Sequence, residues 1–136
     1  MSEENLEIVR RGIEVVNRGE LDAILGVVDE VADPNIEMRA VGRLPDTSRV
    51  LRGPKAVKAW WAQILETFDW HWEPEELIDA GDAVVVVSRQ IARGRGSGAE
   101  VANRVVGVFT FRDGKVISID AYPSKAQALE AAGLSE

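Results

Sequence analysis

Few side chains in this sequence could carry covalent or metal chemistry. The 136 residues include no cysteine and one histidine, so a thiol nucleophile is excluded and a zinc or other histidine-built metal site is not expected. The histidine, His71, lies between Trp70 and Trp72 and could transfer a proton near neutral pH. It has neither a second histidine nor a clear carboxylate partner, which favours a surface or strand-packing role.

Aromatic and basic groups suggest binding. Four tryptophans are present and could hold a ring-shaped ligand, although Trp61 fits core filling better and Trp60 a pocket wall. The tract from Arg93 to Gly98, Arg-Gly-Arg-Gly-Ser-Gly, is similar to Arg/Gly-rich RNA-binding segments. It is short and stands between two predicted strands, so we interpret it as a flexible hairpin tip.

The composition indicates an ordinary globular domain. Apolar residues make up 46% and charged residues 29%, and the length suits one domain spanning residues 1–136. The net charge of −7 argues against nucleic acid or an anionic membrane as a partner. The acidic start, Met1 to Glu7, is unlike a signal peptide, and no apolar run approaches the roughly 20 residues of a membrane span. We therefore expect a cytoplasmic location.

Helical patterns occupy four segments. Apolar residues recur at helical spacing from Glu4 to Asn17. They do so again from Leu21, and Asp33-Pro34 ends this second pattern. Gly53-Pro54 opens the clearest helix, because proline suits the first turn. Its broad apolar stripe contains Val57, Trp60, Trp61, Ile64, Leu65 and Phe68. Ser124 and Gln127 form a capping box that begins a last short helix, which Gly133 ends.

The remaining segments read as strands in an α+β architecture. Asn35 to Val41 alternates and is followed by a loop from Gly42 to Arg52. Four further strands, joined largely by hairpins, are predicted at Trp70–Ile78, Val84–Arg93, Val101–Arg112 and Lys115–Tyr122. Asp113-Gly114 is a strong hairpin signal, and Pro74 marks a bend or an edge.

Two of these strands are apolar on both faces. Val84 to Val87 form an unbroken valine run, and Val105 to Phe111 is nearly as apolar. Strands of this kind are covered on both faces. The chain's own helices are enough for one side only, so we expect a homodimer that covers the outer face.

The chain resembles the nuclear transport factor 2-like superfamily, and within it the SnoaL-like (polyketide cyclase and ketosteroid isomerase-like) group. The resemblance rests on Asn17–Leu21, Gly53–Val57, Asp79–Asp82, Phe111–Val116 and Ala128–Leu134. It implies a cone-shaped, curled antiparallel sheet (a cystatin-like roll) with packed N-terminal helices, a pocket between them, and dimerisation through the outer face. Since the superfamily contains several kinds of enzyme and many non-catalytic members, the fold alone does not choose a function.

The resemblance also implies where ligand-binding residues would lie. Arg39, Gly12 and Gly107 stand where ketosteroid isomerases have their aspartate base, tyrosine and protonated aspartate, so that reaction is not expected. The apolar pocket lining implied by the resemblance is Trp60, Leu65, Val85, Val87, Val105, Ile119 and Ala121. Its polar points would be Glu37, Arg39, Arg89 and Asn103.

Alternation within the strand would instead send Ile36, Met38 and Ala40 inward and leave Glu37 and Arg39 in water. We follow the resemblance, and name Glu37 as the candidate base and Arg39, Trp60, Arg89 and Asn103 as ligand-binding residues. Two arginines would suit an acidic group.

Two functions stay open. The first is a cofactor-independent isomerase, cyclase or dehydratase acting on a small, partly apolar molecule, acidic if the two arginines bind it. The second is a non-catalytic ligand-binding or association module, in which Glu37 only pairs with Arg39 or Arg89. No cofactor and no metal are expected for either.

Overall fold

The computed structural model describes residues 2–39 and 50–134 and has the α+β architecture that the sequence predicts. Within these ranges the helices are α1 Ser2–Arg18, α2 Leu21–Val31, α3 Pro54–Thr67 and α4 Lys125–Ala131. The strands are β1 Ala32–Arg39, β2 Val50–Arg52, β3 Phe68–Asp79, β4 Ala83–Gly94, β5 Glu100–Arg112 and β6 Lys115–Tyr122. None of the described helices is long and apolar enough to cross a membrane.

The described strands form one six-stranded sheet in the order β2-β1-β6-β5-β4-β3. All neighbouring pairs are antiparallel except β1 with β6, which run parallel. We expected an antiparallel sheet, and the structure differs from this at one pair of strands. β6 pairs with β1 only after the chain has formed β2 to β5, and it runs in the same direction as β1. The predicted loop from Gly42 falls mostly outside the described residues, and its last three residues are strand β2.

Local signals in the sequence are confirmed at several turns and caps. Asp113 and Gly114 have φ of 53° and 78°, as the hairpin turn requires. Pro54 stands in the first turn of α3, and the Ser124 side chain accepts a hydrogen bond from the Gln127 backbone N–H at the start of α4. Pro74 lies in the edge strand β3, where the register with β4 shifts between Pro74 and Glu76, so the expected bend is also present.

Three helices pack against one face of the sheet, which we call the inner face. Val9 and Ile13 of α1, Val28 of α2 and Val57 of α3 share one buried cluster with sheet residues. The sheet residues in that cluster are Ala32, Ile36, Met38, Val84, Val86, Phe111 and Val116. Residues of these strands that alternate with the inner set lie on the opposite, outer face.

The outer face is covered in part by the chain's own last helix. Val85 and Val87 are fully buried against Ala128 and Leu129 of α4, together with Val106 and Val108. We expected the chain's helices to cover one side of the sheet only, but α4 also covers Val85 and Val87 on the other side, so these valines do not require a second copy. The two-faced apolar pattern did indicate two covering layers, but the short C-terminal helix supplies the second one.

The tip of the β4–β5 hairpin, which we expected to be flexible, contacts the end of α3 through Arg95. Arg95 donates its backbone N–H to the Thr67 carbonyl at 3.0 Å and its Nε–H to the Leu65 carbonyl at 2.7 Å. Its guanidinium also lies 2.7 Å from an Asp69 carboxylate oxygen. Arg95 thus binds carbonyl groups at the C-terminal end of α3, where a positive charge is favourable.

Candidate functional site

A cavity of about 490 Å³ lies between the inner face and the helices α1, α2 and α3. This volume is within the usual range for small-molecule sites. Its walls are mainly aliphatic and aromatic side chains contributed by all three helices and by the sheet. The lining residue Val101 is 55% exposed, so the cavity reaches solvent near the start of β5.

Two glycines contribute to the free space. Gly12 of α1 and Gly107 of β5 both line the cavity. A Cβ built at Gly12 would meet nothing within 4 Å, and one at Gly107 would make only ordinary contacts at 3.7 and 3.8 Å. Both glycines therefore leave open space at the cavity wall.

Tryptophans form one wall of the cavity. The rings of Trp60, Trp61 and Trp70 meet edge to face, with centroids 4.9 to 6.4 Å apart. Trp72 stacks on Phe109 at 6.2 Å. The Trp70 and Trp72 indole N–H groups are buried without a hydrogen-bond partner among the described residues. Such rings offer flat, apolar surface to a ligand, and Trp60 lies in the lining as the sequence predicted.

A short polar strip crosses the apolar floor of the cavity. Ser88, Gln90 and Asn103 all line it. Ser88 is 1% exposed and donates its hydroxyl to the Val105 carbonyl at 3.1 Å. Gln90 lies directly opposite Asn103 on β5 and opposite Trp72 on β3, so these three residues share the inner face.

Glu37 and Arg39 lie on the outer face, contrary to the orientation that we took from the resemblance. The buried residues of β1 are Ile36 and Met38, which pack in the inner cluster. Glu37 does not line the cavity; its carboxylate oxygens lie 2.6 Å from the Arg39 guanidinium and 3.5 Å from Arg52 Nε. Alternation within the strand was the correct guide here, since shifting an alignment by one residue exchanges the two faces.

Arg89 also lies away from the cavity. It stands opposite Glu73 and Arg104 in the sheet, in a row that alternates with the inner row of Gln90. The expected convergence of Arg39 and Arg89 on an acidic group is therefore absent. Of the ligand-binding candidates, the structure brings together Trp60 and Asn103 in the lining, with Arg39 at the rim.

The predicted apolar lining is correct in part. Val105, Ile119 and Ala121 line the cavity. Val85 and Val87 face α4 on the other side of the sheet, and Leu65 packs in a separate buried cluster with Val15, Val16 and Ile24. His71 is on the surface, with its side chain 53% exposed and its Nε2 3.4 Å from a Glu73 oxygen.

Among the described residues, titratable groups reach the cavity only at its rim, from the outer-face rows of the sheet. Asp120 accepts a 3.3 Å hydrogen bond from Arg39 and lies opposite Val108, in an outer-face row. This hydrogen bond raises the pKa of Arg39 above its ordinary value. Burial raises the pKa of Tyr122, and the charge of Asp120 adds to the shift, so the phenol stays protonated at neutral pH. The Tyr122 hydroxyl, a proton donor, thus lies near the Asp120 carboxylate and Arg39.

The inner-face rows of the described strands hold no acid, base or cation within the cavity. Nor do the described residues contain a cluster of His, Cys, Asp and Glu that could hold a metal ion. The cavity can bind the apolar surface of a ligand, and it can form hydrogen bonds to the ligand through Ser88, Gln90 and Asn103. The sequence reasoning missed Ser88 and Gln90, although alternation along β4 from Val84 and Val86 would have placed both on the inner face.

Comparison with known proteins agrees with this architecture. Residues 9–119 match the SnoaL-like domain family, and the chain belongs to that family. No curated protein matches the sequence closely enough to indicate a relationship.

Several solved structures share the fold. An NTF2-like protein from Burkholderia xenovorans LB400 is 26% identical with a TM-score of 0.72, and the match covers 97% of each chain. A protein from Jannaschia sp. CCS1, provisionally named a SnoaL-like polyketide cyclase, is 24% identical with a TM-score of 0.76 over 96% of this chain and 92% of the other. An LEH-like epoxide hydrolase from M. tuberculosis is 16% identical with a TM-score of 0.73 over 89% and 83%. The last two likenesses bear on the fold alone.

Proposed function

We propose that this SnoaL-like domain binds a small, largely apolar, uncharged molecule in the cavity under α1, α2 and α3. The observation that carries the proposal is the cavity itself, about 490 Å³ of space walled mainly by apolar side chains. A protein interior is normally packed without voids of this size. A ligand would restore the missing contacts and remove apolar surface from water.

The charges around the cavity favour an uncharged ligand over an acidic one. Arg39 lies at the rim and is paired with Glu37 and Asp120. Arg104, also at the rim, lies 3.4 Å from Glu75 and has a largely exposed side chain. The net charge of −7 adds a field that repels anions. An anion in the apolar interior would therefore lack a compensating cation among the described residues.

Binding without catalysis is the function that this arrangement supports best. Proton transfer needs an acid or base within hydrogen-bond reach of the ligand, and the described inner face offers amides and a hydroxyl instead. A cofactor-independent isomerase, cyclase or dehydratase is the second candidate. One observation favours it: Asp120, Arg39 and the protonated Tyr122 meet at the rim.

The proposal can be tested with N-phenyl-1-naphthylamine, an uncharged dye that fluoresces in apolar sites. We expect wild-type protein to bind one dye per chain. Gly12→Leu should abolish or strongly weaken binding, because its side chain would enter open space in the cavity. Gly26→Leu is the matched control, since Gly26 lies in the exposed part of α2 and also has no neighbour within 4 Å.

Two outcomes would contradict the proposal. One is no dye binding by folded wild-type protein. The other is unchanged dye binding by folded Gly12→Leu, which would locate the dye outside the cavity. Circular dichroism spectra of all three proteins provide the control for folding.

The homodimer and the cytoplasmic location remain predictions. With α4 covering Val85 and Val87, a dimer would have to form on the rest of the outer face, where Glu37, Arg39, Arg89 and Arg104 lie. An interface there would be polar. Sedimentation equilibrium at several protein concentrations distinguishes a stable dimer from a monomer.

A further inference from the structure

We infer that the Gln90 and Asn103 amides form a subsite that recognises an uncharged polar group of the ligand, one with both a hydrogen-bond acceptor and a donor, such as a carboxamide. This inference rests on the proposed function, because it assigns chemistry to one part of the same cavity. It also specifies which end of an otherwise apolar ligand lies near the cavity mouth.

The two amides are placed side by side by the sheet. Gln90 of β4 and Asn103 of β5 are directly paired across the antiparallel ladder. Side chains of such a pair stand about 5 Å apart at Cβ and point to the same face. Both residues line the cavity, and Trp72 continues the row on β3. The sheet therefore presents two carboxamides toward one volume.

Neither amide is used within the described part of the protein. The side chain of Gln90 has no hydrogen-bond partner there, and the same is true of Asn103, in contrast to the neighbouring Ser88 hydroxyl, which donates to Val105. Each carboxamide offers one acceptor oxygen and two donor hydrogens. Polar groups in apolar surroundings are normally hydrogen-bonded, so this pair, like the buried indole N–H groups of Trp70 and Trp72, has unused hydrogen-bonding capacity.

The chemistry of a carboxamide pair selects a neutral group. Amides can satisfy a ligand carbonyl and a ligand N–H or O–H together, whereas a carboxylate would offer acceptors only and would bring a charge. No lysine, arginine or histidine lies in the inner-face rows of the described strands to neutralise that charge. The pair thus favours carboxamides, lactams and hydroxy-ketones over carboxylic acids.

The position of the pair orients the ligand. One residue pair further along the same ladder and face lie Ala92 and Val101, and Val101 is 55% exposed. The amides are therefore close to the mouth. The next inner-face pair is Ser88, whose hydroxyl is already bonded to the Val105 carbonyl, with Val105. Beyond it, at Val86 and Gly107, the inner face is apolar. The polar group of the ligand would lie at the amides with its hydrocarbon part directed inward.

The test measures how three naphthalenes displace N-phenyl-1-naphthylamine: 2-naphthamide, 2-naphthoate and 2-ethylnaphthalene. They share one ring system and differ in the group offered to the amides. The variants are Gln90→Met, Asn103→Leu and the double variant, each close in size to the original residue. Gln63→Met is the matched control, since Gln63 is exposed on α3.

We expect the double variant to bind 2-naphthamide about tenfold more weakly than wild type, as loss of a pair of hydrogen bonds predicts. Its affinity for 2-ethylnaphthalene should be unchanged or higher, and 2-naphthoate should be a poor competitor throughout. Gln63→Met should match wild type for all three compounds.

The inference is overturned if the double variant changes the affinities for 2-naphthamide and 2-ethylnaphthalene by the same factor, or if 2-naphthoate binds best to wild type. In the first case the dye itself would still bind, and the proposed function would stand. In the second case the cavity would still be a ligand site, but the uncharged class of ligand in the proposed function would be wrong. If the dye does not bind folded wild-type protein, the proposed function fails and this inference fails with it.

Discussion

A glycine-to-alanine change at position 12 gives a quantitative test of the space beside α1. Gly12 lies in the interior of α1, Ser2–Arg18, and a Cβ there would meet nothing within 4 Å. Alanine in a helix interior is more favourable than glycine by about 1 kcal/mol. Because the added methyl group neither clashes nor packs, we expect the full propensity gain.

The expected effect is measurable by thermal unfolding. For a chain of this length, 1 kcal/mol corresponds to a rise in Tm of roughly 3–5 °C. Gly26→Ala in α2 is the matched control, since its Cβ also meets nothing within 4 Å. Both variants should therefore gain about the same Tm, measured by circular dichroism or calorimetry.

A comparison of the two variants separates the effect of helix propensity on Tm from the effect of the space around position 12. If Gly26→Ala raises Tm and Gly12→Ala lowers it, the methyl group at position 12 meets other atoms, and the space assigned to the cavity at α1 is filled. If neither variant raises Tm, the propensity argument fails for both helices and says nothing about the space. A gain at both positions is the result that the structure predicts.

Three further predictions concern single groups. Ser124→Ala should lower the stability by about 1 kcal/mol in chemical unfolding, because the hydroxyl caps α4 at the Gln127 N–H, and an unchanged midpoint would contradict this role. Arg95→Gln should also lower the unfolding midpoint, by removing the Asp69 ion pair and the bond to the Leu65 carbonyl, whereas an unchanged midpoint would show that the tip needs no anchor. Tyr122, the one tyrosine of the sequence, should titrate above its ordinary pKa of 10.0 when phenolate absorbance is followed. Its contribution to stability should be complete below pH 10.0 and be lost as the pH rises through the folded-state pKa; a phenolate midpoint at or below 10.0 would contradict the shift.

The architecture could be predicted from the sequence because local signals and hydrophobic period agreed. The apolar stripe of α3, the Asp113-Gly114 turn and the Ser124 cap each specify a local conformation, and the structure contains all three. The valine run of β4 correctly indicated cover on both faces. Its pattern does not say which segment supplies the cover, so the role of α4 could not be predicted from it.

The site was harder to predict because it depends on which face of a strand each residue occupies. Side chains alternate between faces, so an alignment error of one residue moves a group from the cavity to the surface. The resemblance placed Glu37 on the wrong face of β1 for this reason. Alternation with the buried residues Ile36 and Met38 predicts its outer-face position correctly. Alternation from Val84 and Val86 is enough to place Gln90 on the inner face, but its part in a site depends on the cross-strand pairing with Asn103, which the sequence does not specify.

The central claim is that a ligand occupies the space between α1 and the inner face of the sheet. A crystal structure of the protein with 2-bromonaphthalene tests it most directly, because anomalous scattering locates the bromine without reference to any prior coordinates. The structure predicts one bromine peak per chain inside the cavity, among residues such as Gly12, Trp60 and Gly107. A well-ordered crystal soaked to saturation with no peak in the cavity, or with peaks only on the outer face, would contradict the claim.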